Sequence, residues 1–322
     1  MWIQEQLPIR MAHRLSDFLR LPYVIICNTH VHEAFRNMFE AYETLADSPR
    51  IRDASSVDEF AVMLHGLVRS HDKMIYVMQE GYSELRSLFD DLVDLEDFLD
   101  RVFITRIGNR VLCEHFLAVH EARSSGCEGG ATGVVQPECC PADIVEDLSQ
   151  SIGQVCGEVY GVVPKTILEG QLDTRFSFIP DHLSFIVQEV MKNAFRATIE
   201  SHPGKMVDLP PINVEIMKGS FDMTIKISDA GGGMKRETLN EIWRYGFTST
   251  TEESASTHVA GELAGLSGMD AVSKRQIAGY GFGMPLSRVY AQYFGGDITV
   301  QSMRGYGTDV FVNVNHLGDK QV

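Results

Sequence analysis

Residues 188–200 read Gln-Glu-Val-Met-Lys-Asn-Ala-Phe-Arg-Ala-Thr-Ile-Glu (QEVMKNAFRATIE), and the rest of the fold is read outward from them. At about 100° per residue, Val187, Val190, Met191, Ala194 and Thr198 share one mostly apolar stripe of a helix. Glu189, Asn193, Arg196 and Glu200 stack along the opposite side. A wet face is the ordinary explanation of such an edge. A carboxylate, an amide and a guanidinium one turn apart also make a binding edge, and the downstream chain decides between the two.

Beyond this helix the pattern is mixed α and β. INVEIMKGSFDMTIKISD (212–229) alternates as two strands about a Lys-Gly-Ser-Phe-Asp turn, and GDITVQSMRGYGTDVFVNVNH (296–316) as a second hairpin. Asp229-Ala-Gly-Gly-Gly233 comes directly after a strand that turns Ile225 and Ile227 inward. Glycines there let the backbone turn sharply against a flat ligand, while the aspartate offers an acceptor to an exocyclic amine. The run 235–247 reads as a helix, and 248–278 is rich in Ser, Thr, Gly and Ala. Gly279-Tyr-Gly-Phe-Gly283 then opens another helix, with Pro285 at its start, where free N–H groups and the helix dipole favour a phosphate chain. Either glycine cluster alone is weak evidence. Both, in this order between an asparagine-bearing helix and a Gly307-Thr308 hairpin, are specific.

The first half differs. Residues 57–89 and 92–122 sustain the i, i+3, i+4 apolar pattern beyond one ordinary helix, and strand signals are few. Four such helices imply an antiparallel bundle. The small-residue run SSGCEGGATGVVQP breaks the pattern. The expected organisation is a helical domain over 1–123, a loop or linker over 124–137 and a mixed domain over 138–322. The fold class is α+β.

Composition narrows the function. The 322 residues carry 28 Lys and Arg against 44 Asp and Glu, a formal charge of −16. That excludes a reader of phosphate backbones, which works largely through basic side chains. No window approaches the ~20 apolar residues of a membrane span. Six cysteines without a C-x-x-C pair indicate neither a zinc site nor a disulfide scaffold. A carboxylate-bearing N-terminal segment is poor as a transit peptide, so any presequence is expected outside this chain.

The order Glu189…Asn193, Asp229-x-Gly-x-Gly233, Gly279-x-Gly-x-Gly283, Gly307-Thr308 resembles the GHKL ATPase superfamily. The resemblance implies an α/β sandwich holding ATP, with Mg²⁺ on the amide of Asn193 and Glu189 facing the same site. Arg196 either reaches a phosphate oxygen or pairs with Glu200. Within the superfamily, QEVMKNAFRATIESH, LPPINVEI, IKISDAGGGM, IAGYGFGMPLSRVYAQYFGGD and SMRGYGTD are similar to the mitochondrial 2-oxoacid dehydrogenase kinases. EQLPIRMAHRL, FLDRVFITRIGNRVL and FLAVHE extend the likeness through the helical half.

That family implies a Mg-ATP-dependent serine kinase of the mitochondrial matrix. It would phosphorylate and inactivate the E1α subunit of the pyruvate or branched-chain complex, dock on the E2 lipoyl domain and form a homodimer. Glu189 is then the general base, Asn193 the metal ligand, and Asp229 and Thr308 the adenine contacts. Arg196, Gly231, Gly233, Met234, Thr248, Ser249, Gly279, Tyr280, Gly281, Phe282, Gly283 and Met284 are expected around the nucleotide. Arg106 and Arg110, one turn apart in the bundle, either bind a 2-oxoacid effector or salt-bridge to bundle carboxylates.

Several features depart from the family or resemble another. Phe185 stands where pyruvate dehydrogenase kinases usually place a histidine, about 40° round the wheel from Glu189. His182, a turn further back, is expected at the surface. FLAVHE and the short segment after the last strand lean to the branched-chain enzyme, LPPI and YAQYF to the pyruvate enzymes. HEARS (120–124) resembles a phosphoacceptor box but lacks its proline and a second dimerisation helix. A catalytically weak ATP-bound regulator and a chaperone-like ATPase are the alternative readings.

Overall fold

The computed structural model describes residues 2–89, 95–125, 133–204, 208–248 and 281–318. The chain divides into two compact units, 1–134 and 135–322.

The first unit is helical: α1 (Trp2–Leu19), α2 (Tyr23–Ile26), α3 (Thr29–Ala46), α4 (Ala54–Ser70), α5 (Met74–Phe89) and α6 (Leu95–Ser124). Local chemistry sets the helix starts. Asn28 accepts hydrogen bonds from the N–H groups of His30 and Val31, and Asp53 with Ser56 forms a reciprocal capping box at α4. Leu7 and Met11 of α1, Ala41 and Leu45 of α3, Phe60 and Leu64 of α4 and Cys113 of α6 share one core, the expected bundle. The periodic stretch 57–89 is two helices end to end, broken at His71–Lys73, and α5 packs on α3. Helix α6 runs through Ser124, one residue into the stretch expected as linker.

The second unit contains β1 (Gln136–Cys139), α7 (Pro141–Tyr160), β2 (Thr166–Gly170), β3 (Phe176–Phe178), α8 (Pro180–Ser201), β4 (Ile212–Lys218), β5 (Asp222–Asp229) and α9 (Arg236–Glu241). After them come the helix Gly283–Tyr293, here α10, and the strands β6 (Asp297–Met303) and β7 (Gly307–Asn315). The main sheet has the order β2-β4-β5-β7-β6, parallel only between β2 and β4, while β1 pairs with β3. Helix α8 lies over β5 and β7, and α10 over β6 and β7. Strand alternation supplies the sheet's side of the core: Val214, Ile225, Ile227 and Val312 are buried, as are Val187 and Val190 of α8 and Leu286 of α10. The resulting α/β sandwich leaves the polar edge of α8 beside the ends of β5 and β7.

The run 235–247 is a helix only as far as Glu241. Beyond it the chain folds back: the Gly246 N–H donates to the Gly281 carbonyl at 3.2 Å, and the buried Tyr245 packs on Phe282 with ring centroids 4.8 Å apart. This closure competes successfully with helical continuation.

Candidate active site

The polar edge of α8 forms one wall of a cavity of about 670 Å³, within the range of small-molecule sites. Glu189, Asn193 and Arg196 line it from α8; Asp229, Gly231, Gly233 and Met234 from the turn after β5; Gly281, Gly283 and Met284 from the start of α10. Thr248 and Thr308, also expected around the nucleotide, line it as well. Phe282 is instead turned into the core against Tyr245. Ser249, Gly279 and Tyr280 lie outside the described residues.

At one end, Asp229 sits opposite Thr308 in the β5–β7 register. Its Oδ1 accepts the Gly231 N–H at 2.7 Å. Burial pushes the Asp229 carboxyl up to about 6; the N–H groups of Gly231 and Thr308 pull the other way, and Asp309 adds to the rise. Thr308 is held in turn: its Oγ1 is 2.9 Å from Ser302 Oγ, which also accepts the Met234 N–H at 2.8 Å. Gly233 has φ +62°, and a Cβ there would collide with the Met303 carbonyl, so the turn closes on the β6–β7 hairpin only with glycine at this position.

At the other end, Glu189 is buried, with Oε1 2.5 Å from the ammonium of the equally buried Lys192. Gly283 approaches so closely that a Cβ would collide with Glu189 Oε2. Asn193 is exposed, one turn along α8, and its amide makes no hydrogen bond among the described residues. Arg196 donates from Nε to Glu200 Oε1 at 2.7 Å, so of its two expected roles the structure displays the ion pair, at the cavity wall. Phe185 is buried against Tyr290, ring centroids 4.7 Å apart. The surface position expected for His182 is corrected: it is buried against Tyr290 and Phe294, because α10 covers this side of α8.

Sequence reasoning missed Lys192, Ser302, Lys235 and Arg304. Lys192 was legible as an i, i+3 partner of Glu189. Ser302 was not, since its bonds depend on strand register and hairpin packing. Lys235 and Arg304 line the cavity from elements 69 residues apart in sequence, a proximity that no local pattern records.

In the helical unit, Arg106 and Arg110 line a separate cavity of about 40 Å³ with His71, Asn109, Met74 and Leu67. Arg110 is clasped by Asp72 Oδ1 at 2.5 Å and Glu114 Oε1 at 2.6 Å, the salt-bridge alternative. Arg106 is buried. Burial, with Arg106 nearby, pushes His71 down to about 4, so its ring is neutral at physiological pH.

An asparagine-bearing helix, an Asp-Gly turn and a glycine-led helix around one cavity on an α/β sandwich define a GHKL-type ATP-binding domain. Residues 179–317 match the family described as histidine kinase-, DNA gyrase B- and HSP90-like ATPase. Residues 1–156 match that described as mitochondrial branched-chain alpha-ketoacid dehydrogenase kinase. Over 99% of the chain and 85% of the relative, the sequence is 30% identical to the mitochondrial [pyruvate dehydrogenase (acetyl-transferring)] kinase of Arabidopsis thaliana. It is 28% identical to isozyme 1 of Mus musculus over 100% of the chain and 74% of that relative. With the corresponding kinase of Schizosaccharomyces pombe it shares 33% over 80% of the chain and 59% of the relative. The chain therefore belongs to the mitochondrial 2-oxoacid dehydrogenase kinase family and is a protein serine kinase of the GHKL superfamily.

Proposed function

We propose that this kinase uses Mg-ATP to phosphorylate a serine of the E1α subunit of a mitochondrial 2-oxoacid dehydrogenase complex, the pyruvate complex first among them, and thereby inactivates it. The observation that carries this reading is the convergence of Glu189, Asn193, Asp229 and the start of α10 on one cavity. Asp229, with Oδ1 held by Gly231, lines the cavity as an acceptor for an adenine amine. Thr308, oriented by Ser302, is the second base contact. Gly281, Gly283 and the N-terminal N–H groups of α10 face the phosphates. Thr248 belongs with these contacts, and Arg196 is within their reach if it leaves Glu200.

The uncommitted amide of Asn193 fits a hard cation that takes an oxygen ligand and keeps several waters. When bound, Mg²⁺ would neutralise phosphate charge. Glu189 Oε2 is the oxygen that accepts the serine proton as the serine oxygen bonds to the γ-phosphorus and the bond to the ADP oxygen breaks. Positioning and charge neutralisation dominate such transfers, and a placed base adds ~10²–10⁴-fold.

The names of the relatives favour the pyruvate complex, while the N-terminal family description names the branched-chain enzyme. The relatives' names also give a mitochondrial location, and the matrix is where such a complex would be met. Docking on the E2 lipoyl domain, homodimerisation and a 2-oxoacid effector at Arg106 belong to the same proposal. The Phe185–Tyr290 wall beside the base favours a second reading, a weak kinase that acts by occupying E2.

The test is transfer from labelled Mg-ATP to purified pyruvate and branched-chain complexes, with Glu189→Gln as control. Labelling of one E1α, lost in the variant, is expected. ATP binding with neither complex labelled would refute the kinase assignment in favour of the regulator, and labelling that survives Glu189→Gln would remove Glu189 from the base role.

A further inference from the structure

Glu189 carries the proposed proton transfer, yet a carboxylate this buried is neither stable nor oriented by itself. An isolated buried charge is costly unless it is paired. Its side chain also has three torsions to fix before one oxygen points at a substrate. The wall on the α10 side offers no help: Phe185 and Tyr290 meet ring to ring, and His182 is packed on Tyr290 and Phe294.

Lys192 meets the need. Three residues on from Glu189, it lies on the same helix face. Both side chains are buried, at 7% and 8% relative exposure, with Nζ 2.5 Å from Oε1. Among the described residues Lys192 makes no other hydrogen bond or ion pair, and it does not line the cavity. The other charged side chains of the cavity, Arg196, Glu200, Asp229, Lys235 and Arg304, form no ion pair with Glu189. The carboxylate is therefore held through one oxygen. The ammonium fixes Oε1, and because residue 283 is a glycine the space beside Oε2 is left clear of a side chain.

Resting on the assignment of Glu189 as the base, we infer that Lys192 is a positioning residue for phosphoryl transfer, holding Oε1 so that Oε2 is presented to the attacking hydroxyl. It takes no proton and touches no substrate. Its charge fixes geometry rather than nucleotide affinity, which separates it from its neighbour Asn193.

The test compares Lys192→Met, Lys192→Gln and Lys192→Arg with the unaltered chain in labelled Mg-ATP transfer to the purified E1 components of both complexes. It records kcat, KM for ATP and the thermal shift with ATP. Displacing a reacting group by about 1 Å costs roughly 10²-fold. The expectation is a kcat lower by about that factor in Lys192→Met, with KM for ATP within about twofold and at least a tenfold recovery in Lys192→Arg. Lys192→Gln, neutral but able to donate to Oε1, decides by the same criterion if Lys192→Met fails to fold.

Unchanged kcat in a folded neutral variant overturns the inference, as does a KM for ATP that rises in step with the loss. If Lys192→Arg folds and both neutral variants lose the ATP-dependent thermal shift, the pair serves the fold and the positioning role is refuted. Glu189→Gln separates the two claims. Transfer that survives it sinks the base assignment itself, whereas a dead Glu189→Gln beside active Lys192 variants sinks only the role of Lys192.

Discussion

Replacing Asp229 with asparagine should stabilise the nucleotide-free protein at neutral pH while removing its response to ATP. The folded state raises this carboxyl from 3.8 to about 6, chiefly by burial. Between those values the folded chain holds a proton that the unfolded chain has released, so stability from this group is complete below about pH 4. It is lost as pH rises through about 6. At 1.36 kcal/mol per pH unit the loss is at most roughly 3 kcal/mol, less where water reaches the carboxyl.

An asparagine amide is neutral throughout, so the Asp229→Asn variant should gain up to that amount at pH 7.5 and nothing at pH 4. In a domain of this size that is a rise of up to about 6–12 °C, at ~2–4 °C per kcal/mol. ATP reverses the order. Asp229 accepts from Gly231 with one oxygen and carries a second acceptor oxygen. Asparagine has one oxygen for both tasks and turns an N–H₂ toward an amine. Losing a hydrogen bond to a charged acceptor costs ~1.5–3 kcal/mol, roughly a 10–150-fold weaker affinity. Differential scanning fluorimetry at the two pH values, with and without Mg-ATP, checks both halves. A variant destabilised at pH 7.5 without nucleotide, or one keeping the full ATP shift, would refute the account.

Gly283→Ala puts a methyl group into Glu189 Oε2 and should lower transfer at least tenfold, measured by labelled-phosphate incorporation. Arg196→Ala breaks a partly exposed pair worth ~0.3–0.5 kcal/mol, so Tm should hold; a large fall in ATP affinity by calorimetry would show that Arg196 reaches phosphate. Arg106→Ala should abolish inhibition by 2-oxoacids or dichloroacetate and spare ATP binding. Arg110→Ala leaves the carboxylate clasp of Asp72 and Glu114 without its cation and should destabilise the helical unit by about 3–5 kcal/mol in denaturant unfolding.

Periodicity alone determined the main elements of this protein. The 3.6-residue stripe of 188–200, the alternation through Ile225 and Ile227 and the hairpin turns at 219–221 and 304–306 are enforced by backbone geometry and by the burial of one face, and they appear as read. The asparagine helix and the two glycine clusters were legible as well, because a close backbone approach admits glycine and little else. Tertiary structure decided everything that depends on which surfaces meet. It buried Glu189 and matched it to Lys192, turned Phe282 into the core, drew His182 under α10 and committed Arg110 to Asp72 across 38 residues of chain. A residue's type fixes what it can bond; its burial and its partner's distance fix what it does bond, and those are properties of packed elements rather than of a sequence.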